Sequence, residues 1–552
     1  VLARMLKYLY THGRHLESYL STYFSPNTHL TGEAVGLLYL GVLLPEFSRA
    51  RQWRRLGWRI LQEQLGRQIR PDGVYFEQAS YYHRYTIDIY LNAIMLGEHN
   101  GIPLPQRMRS RLELAAAHLA DLTRPDGTIP MIGDDDGGSL LVLEQRDFAD
   151  VRATLASASL VFEKPEWAVV AGKATEEVLW LFGPEGLKQV DRTIAGEPPA
   201  HQSRLFPVGG YAIMRDGWGP TAKHAVIDCG PLGEANCGHA HSDLLSIEIA
   251  VAGAPVLVDT GTFTYTASAA DRDAFRHSSA HNTLTVDGES AAVPDGPFSW
   301  SLKTAAKAES WWTGGLVDRL VASHAGFRRL PDPATHRRTV YFVRGEYWII
   351  VDSLLAAGTH ETTAHYHFAP GTIVTPDTPA AVRLETTGGE ARQSLFFAVT
   401  GDVDEVKWEQ GWVSPSYGSR TEAPYARAIS RGTGRRDIIS VLCPVTDGAR
   451  VSVSEVEAEG GRAVVVDRQG TYDVVMIPSG GEMRMPGVAL HGDGAWVRRA
   501  SADAAPEALA LFGADSRITV AGVEVTASLA AEARRTGGSW VVEGEGRAVV
   551  HE

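Results

Sequence analysis

The apolar residues of this chain change their period once, and that change limits the folds open to it. From residue 1 to about residue 190 they recur at helical spacing: Leu30 to Leu44, Trp53 to Leu65, Tyr81 to Leu96, Leu112 to Leu122, Phe148 to Phe162 and Trp167 to Phe182. The breaks between them are short and rich in turn residues, as in Arg70-Pro71-Asp72-Gly73 and Arg124-Pro125-Asp126-Gly127. Helices joined in this way stack as hairpins, and the first half reads as an incomplete α/α toroid. A Pro- and Gly-containing stretch near Ala195 to Ser203 has no helical period and marks a boundary. Beyond it come short β-rich runs between turn residues: Gly210 to Arg215, Ala225 to Asp228, Leu245 to Val251, Pro255 to Asp259, Thr339 to Val343 and Tyr347 to Val351. No helices alternate with them, so antiparallel sheets packed as a sandwich are expected rather than a parallel barrel. From about Val451 the strands shorten and grow richer in Val and Gly, ending in Ser539 to Glu543 and Ala548 to Val550. The expected organisation is α+β and multidomain. A helical toroid covers 1–195, a central antiparallel β-sandwich 204–450, and a smaller β domain 451–552.

At 552 residues the chain is too long for one ordinary core. No apolar run approaches the roughly 20 residues of a membrane-spanning helix. Val1 to Tyr10 begin inside a helical pattern without a recognisable signal peptide, so removal of a leader or of an upstream helical segment is expected. A formal charge of −14 argues against a nucleic-acid-binding protein. A polyanion would have to be met locally by His and Arg, and the best supply is Arg51, Arg54, Arg55, Arg59, Arg67, Arg70 and Arg84. Cys229, Cys237 and Cys443 are too few and too scattered for a disulfide framework or thiolate site, and read as small core residues.

The segment richest in chemistry is Asn236-Cys237-Gly238-His239-Ala240-His241-Ser242-Asp243, followed by a strand and then Val258-Asp259-Thr260-Gly261-Thr262. In extended backbone His239 and His241 would share a face, with Asp259 on a paired strand and His281 as a further nitrogen donor. Two His and a carboxylate suit Zn²⁺ or Mn²⁺, whereas His-x-His alone is more often a satisfied polar pair. His367 is an alternative to His281.

The stretch from Asn236 to Gly288, with Gly-His-Ala-His-Ser-Asp-Leu-Leu-Ser, Val-Asp-Thr-Gly-Thr-Phe-Thr-Tyr and Ala-His-Asn-Thr-Leu-Thr-Val-Asp-Gly, closely resembles the heparinase II/III family of polysaccharide lyases. Ser25 to Glu33 and Glu77 to Tyr85 resemble the family's helical-domain motifs. The resemblance implies an α/α toroid joined to antiparallel β domains, with an acidic polysaccharide between them. It also implies β-elimination: a proton α to a uronate carboxylate is removed and the glycosidic oxygen expelled. On that pattern Asn27 and His29 neutralise the carboxylate, Tyr82 is the general acid, and His239 is the base on the opposite face. Arg84, Tyr85, Glu77 and Asn236 are the expected substrate contacts. His241, Asp259 and His281 would hold one structural divalent ion, Zn or Mn, leaving His239 free. A periplasmic or secreted bacterial setting is the corresponding location.

Tyr81, Tyr82 and Tyr85 compete for the acid's role, because at most two of them can share a helix face. Gly133-Asp134-Asp135-Asp136-Gly137-Gly138 reads first as a solvated acidic turn. With Glu77, one of those aspartates could instead form the carboxylate pair of a glycoside hydrolase, and a noncatalytic glycan-binding protein is a third reading.

Overall fold

The computed structural model describes every residue except Phe24, Gly389, Glu390, Asp447 and Glu552. The first part of the chain forms α1 (Leu2–Ser18), α2 (Thr28–Leu43), α3 (Ala50–Gln68), α4 (Ser80–His99), α5 (Gln106–Leu122), α6 (Arg152–Phe162), α7 (Pro165–Ala171) and α8 (Glu176–Thr193). Helix α2 starts two residues earlier than its apolar pattern suggests, because Asn27 caps it: Asn27 Oδ1 accepts from His29 N at 3.1 Å. His29 therefore lies in the first turn. The expected helix from Trp167 to Phe182 is two helices. Gly172, at φ +69°, ends α7 in the left-handed conformation, and Thr175 caps α8.

Strands β1 (Arg204–Phe206), β2 (Tyr211–Arg215), β3 (Lys223–Asp228), β4 (Ile247–Val251) and β5 (Ala254–Leu257) form one antiparallel sheet in chain order. Its two faces serve different cores. Phe206, Tyr211, Ile213 and Val226 join the helical core, while Ala212, Met214, Ala225 and Ile227 face the central β core. Polar contacts tie the same layers together. Arg215 Nη2 donates to the carbonyls of Asp121 and Thr123 at 2.9 and 2.7 Å, and buried Arg124 pairs with Glu248 at 2.6 Å.

An eight-stranded sheet follows, with Tyr347–Leu355 between Thr335–Val343 and Arg436–Val445. A four-stranded sheet contains the long hairpin Glu405–Ser416/Ser419–Thr433 beside Thr359–His367 and Leu284–Val286. Tyr347–Val351 is apolar without alternation because both its faces are covered. Tyr347, Ile349 and Val351 pack against one C-terminal sheet, and Trp348 and Ile350 pack into the central core. From Val451 onward the chain forms a seven- and a five-stranded antiparallel sheet with an apolar interior between them.

One element departs from the all-β expectation for this half. Helix α9 (Ala269–Arg276), capped by Ser268, is too short to register as a period, yet it carries Arg272.

Beneath the loop that holds His281, Arg338 is buried and bidentate on Asp352, with Nε–Oδ1 2.7 Å and Nη2–Oδ2 2.8 Å. Its Nη1 supports the carbonyls of Leu245 and Asn282. Burial pushes the Asp352 carboxyl up, but the Arg338 charge and the bond from His336 outweigh it and bring the pKa down to about 2. Against an unfolded value of about 3.9, such a depressed carboxylate contributes on the order of 2 kcal/mol above pH 4, lost as pH falls through 2. Asp352→Asn should therefore be less stable than wild type at pH 5. The gap between their unfolding free energies, from urea titration, should narrow by about 2 kcal/mol on going to pH 2; a pH-independent gap would contradict this.

Candidate active site and metal centre

The loop between α5 and α6 passes against the segment that carries the two histidines. Gly133 sits at φ +68°, and a Cβ there would lie 2.8 Å from the carbonyl oxygens of both Gln78 and His239. Asp134 N donates to His239 O at 2.9 Å. The Asp134 side chain is 0 % exposed, so the expectation of a solvated acidic turn fails at this residue. Arg272, from α9, binds it bidentately (Nη1–Oδ1 2.5 Å, Nη2–Oδ2 2.7 Å). His239 Nδ1 donates to Oδ2 at 3.1 Å and His241 Nε2 to Oδ1 at 2.9 Å. Burial alone would raise this carboxyl's pKa, but the Arg272 charge and both imidazole bonds hold it well below the usual range. An ionised carboxylate only accepts, so each histidine must place a proton on the nitrogen facing Asp134. The segment from 236 to 246 is a series of turns rather than a strand; the shared carboxylate, not a pleat, brings the two rings together.

Tyr82, on α4, lies against His239 with ring centroids 4.1 Å apart. Its hydroxyl is 3.0 Å from that of Tyr265, and Phe298 closes over both Tyr265 and His239. Burial, then the Asp136 charge, raises the Tyr82 phenol above its ordinary value, against a smaller opposing effect of the bond to Tyr265. Burial disfavours protonation of His239, but the Asp134 bond and the charge of Glu77 outweigh it and raise its pKa. The other two tyrosines have separate places: the Tyr81 hydroxyl donates to Gly138 O, and half-buried Tyr85 faces α2 near Gly32. The tip of the long hairpin holds the loop bearing Tyr265. Ser414 N donates to Thr260 O (2.7 Å), Phe263 N to Ser414 Oγ (3.1 Å), and Tyr265 N to the Tyr417 hydroxyl (3.0 Å).

Asn27 Nδ2 donates to Glu77 Oε1 at 3.2 Å, and the Tyr75 hydroxyl donates to Glu77 Oε2 at 2.8 Å. The His29 side chain is exposed. Asn236 is half-buried and donates to Phe298 O at 3.1 Å. Arg84 does not reach the cleft surface: it is 1 % exposed, bound to Asp88 at 2.7 Å and stacked on Tyr81. Arg272 and Tyr265 were not picked out from the sequence, and Asp134 was read there only as part of an acidic turn or as one of three candidate partners of Glu77, not as a buried anchor. Tyr265 closes the Thr-Phe-Thr-Tyr motif, so a signal for it existed; Arg272, alone on a helix too short to detect, gave none.

His241, Asp259 and His281 converge, each offering one ligand atom within 4.8 Å of the others, and could hold a metal ion. The donor chemistry fits. His241 uses Nε2 on Asp134 and His281 uses Nδ1 on Asp259 Oδ2 (2.6 Å). The remaining nitrogens, His241 Nδ1 and His281 Nε2, are buried without a hydrogen-bond partner among the described residues. A carboxylate behind an imidazole ligand, as Asp134 lies behind His241, is a usual support of such centres. The alternative ligand His367 is instead bonded through Nε2 to Ser279 O at 2.8 Å.

Family models cover both groups of motifs. The model for the heparinase II/III N-terminus matches residues 1–152, and that for the heparinase II/III-like C-terminal region matches 198–454. The chain belongs to the heparinase II/III family. Among relatives, a heparin-sulfate lyase of Pedobacter heparinus is 24 % identical over 475 residues, 83 % of this chain and 65 % of that protein. A heparin-sulfate lyase of Bacteroides stercoris is 24 % identical over 456 residues, 81 % and 61 %. The chain thus spans less than two thirds of the length of these relatives. A crystal structure of heparinase III superposes with TM-score 0.68 at 20 % identity, covering 86 % of this chain and 70 % of that one. The heparan sulfate lyase HepC from Pedobacter heparinus gives 0.64 at 21 % identity, with the same coverage. The family fold is a helical domain joined to antiparallel β-sandwiches, as the periodicity indicated.

Removing the Asp134 carboxylate strands a guanidinium that is 1 % exposed. Asp134→Ala should cost about 3–5 kcal/mol of stability in denaturant titration. Exposed Asp136→Asn, in the same turn, should change stability by no more than about 0.5 kcal/mol. Equal effects would mean that Asp134 is not the anchor.

Proposed function

We propose that this chain is a polysaccharide lyase that cleaves a uronate-containing acidic polysaccharide, of the glycosaminoglycan class, by β-elimination. The observation that carries the reading is the Tyr82–His239 pair, an oriented imidazole packed against a phenol with ring centroids 4.1 Å apart and the planes tilted by 31°. With Nδ1–H on Asp134, His239 presents its lone pair at Nε2. That nitrogen takes the proton from C5 of the uronate, the electron pair forms the C4–C5 double bond, and the C4–oxygen bond breaks. Tyr82, kept protonated by burial, gives its proton to the leaving oxygen. The elimination builds negative charge on the uronate carboxylate, which exposed His29 and the second hydrogen of Asn27 Nδ2 neutralise; the first is used on Glu77. The heparin-sulfate lyases among the relatives support the substrate class, and a periplasmic or secreted bacterial location goes with it.

A hydrolase would need two working carboxyls. Of the carboxyls suggested by sequence, Glu77 and one of Asp134 to Asp136, Glu77 is held by Asn27 and Tyr75, and Asp134 by Arg272 and two histidines. The observation on the hydrolase side is Asp135, which burial pushes up to about 6. Product chemistry discriminates, since only elimination leaves an unsaturated, ultraviolet-absorbing uronate.

Tyr82→Phe should keep the fold and lower turnover by about 10² or more, the span of general acid catalysis being roughly 10² to 10⁴. Near-normal turnover, with a large loss in Tyr85→Phe, would transfer the role to Tyr85.

His241, Asp259 and His281 would hold a structural Zn²⁺ or Mn²⁺ that fixes the loop presenting His239. Elemental analysis and melting curves separate the two histidines. His241→Ala should lose metal and melt earlier, whereas His239→Ala should keep both properties and lose activity. Equal metal loss in the two variants would make His239 a ligand.

A further inference from the structure

The end of α3 and the turn after it, together with α5 and the loops bearing Val208 and Glu234, enclose a cavity of about 440 Å³. That is inside the roughly 300–1,000 Å³ range of small-ligand sites. Arg67, Arg70 and Arg111 line it, with Glu234 as the one carboxylate among its lining residues. In a chain of formal charge −14 this is a local reversal of sign.

The three guanidiniums have spare donors. Exposed Arg67 makes no hydrogen bond or ion pair among the described residues. Arg111 uses Nη1 on Ile69 O at 3.1 Å. Arg70 is 9 % exposed and donates through Nη1 to Val208 O at 3.2 Å. Its Nη2 lies 3.2 Å from Glu234 Oε1 without hydrogen-bond geometry, and its Nε has no partner among the described residues. A buried guanidinium short of acceptors is a costly arrangement that a planar oxyanion or sulfate group would complete.

The cavity also adjoins the candidate active site along three separate segments. Pro26, Phe76 and Ala235 line it, and each immediately precedes a candidate site residue, Asn27, Glu77 and Asn236 respectively. We propose that it is a subsite for an oxyanion on a nearby sugar of the bound chain, either a sulfate ester or a second uronate carboxylate, with Arg67 and Arg70 as its specificity-determining donors. The proposal rests on the lyase reading for the identity of the polymer, but not for the presence of an anion site.

The test compares wild type, Arg67→Gln and Arg70→Gln on a sulfated uronate polymer and on its unsulfated counterpart. Both variants should raise KM about tenfold, the order expected for losing one charge-assisted hydrogen bond, with kcat within about twofold. Loss confined to the sulfated polymer identifies a sulfate ester as the group bound; equal loss on both identifies the neighbouring carboxylate. Unchanged KM in both variants on both polymers overturns the subsite. Arg67→Gln has no intramolecular partner to lose, so it separates recognition from the structural bond that Arg70 makes to Val208.

If wild type cleaves no uronate polymer, the lyase reading falls and the subsite is judged with sodium sulfate alone. Sulfate should then raise the melting temperature of wild type more than that of either variant at matched ionic strength. An equal rise in all three overturns the subsite.

Discussion

A carboxylate with no water around it must be neutralised by protein, and at Asp134 four bonds from three side chains do so. Those side chains come from the β half and Asp134 from the helical half, so neutralising one charge fixes how the halves meet. The same bonds set the tautomers of both histidines. His239 is left with a lone pair directed away from Asp134, and His241 with one beside Asp259 and His281. The geometry of the proposed base and that of the proposed metal site therefore have a common origin, a turn in the helical half that contributes no atom to either.

Around this anchor the site is assembled mostly from loops, and side-chain bonds hold their shape. The Tyr265 loop is sewn to the hairpin tip through Ser414 and Tyr417. Asn282 performs a similar task on the other side: its Nδ2 donates to Ile247 O and Val258 O, and its Oδ1 accepts from His367 N. Arg338 then supports the Asn282 carbonyl from below. Loops fixed at this many points can present a base and an acid at constant separation without a continuous strand beneath them.

The large-scale architecture was legible because it depends on period. Runs such as Tyr81 to Leu96 and Gly210 to Arg215 bury one stripe or both faces, and each leaves its repeat in the sequence. Boundaries set by single residues were less legible: Asn27 as a cap moved the start of α2, and Gly172 split one expected helix into two. In the site, Tyr82, His239, His241, Asp259 and His281 were named from motifs, and they lie in two adjoining groups. What escaped was the residue that joins the groups. Asp134 sits among two other aspartates and three glycines, a composition that normally means solvent, and its burial depends on Arg272, more than a hundred residues away. Local sequence carries no trace of such a partner. Arg84 shows the opposite failure, a cation beside the expected acid whose charge is already taken by Asp88.

The strand Tyr347–Leu355 lies between two cores, and this bears on how the chain can be folded and cut. Its Tyr347, Ile349 and Val351 face is covered by the seven-stranded sheet, made entirely from residues from Val451 onward. During synthesis that face waits for the residues from Val451 onward, and until then an apolar sheet surface is open to other chains. The terminal β unit, remote from the proposed chemistry, thus covers an apolar face that the central sheets cannot cover themselves. A chain stopped at the end of the central sheets would keep every candidate catalytic residue and expose the apolar face of Tyr347, Ile349 and Val351.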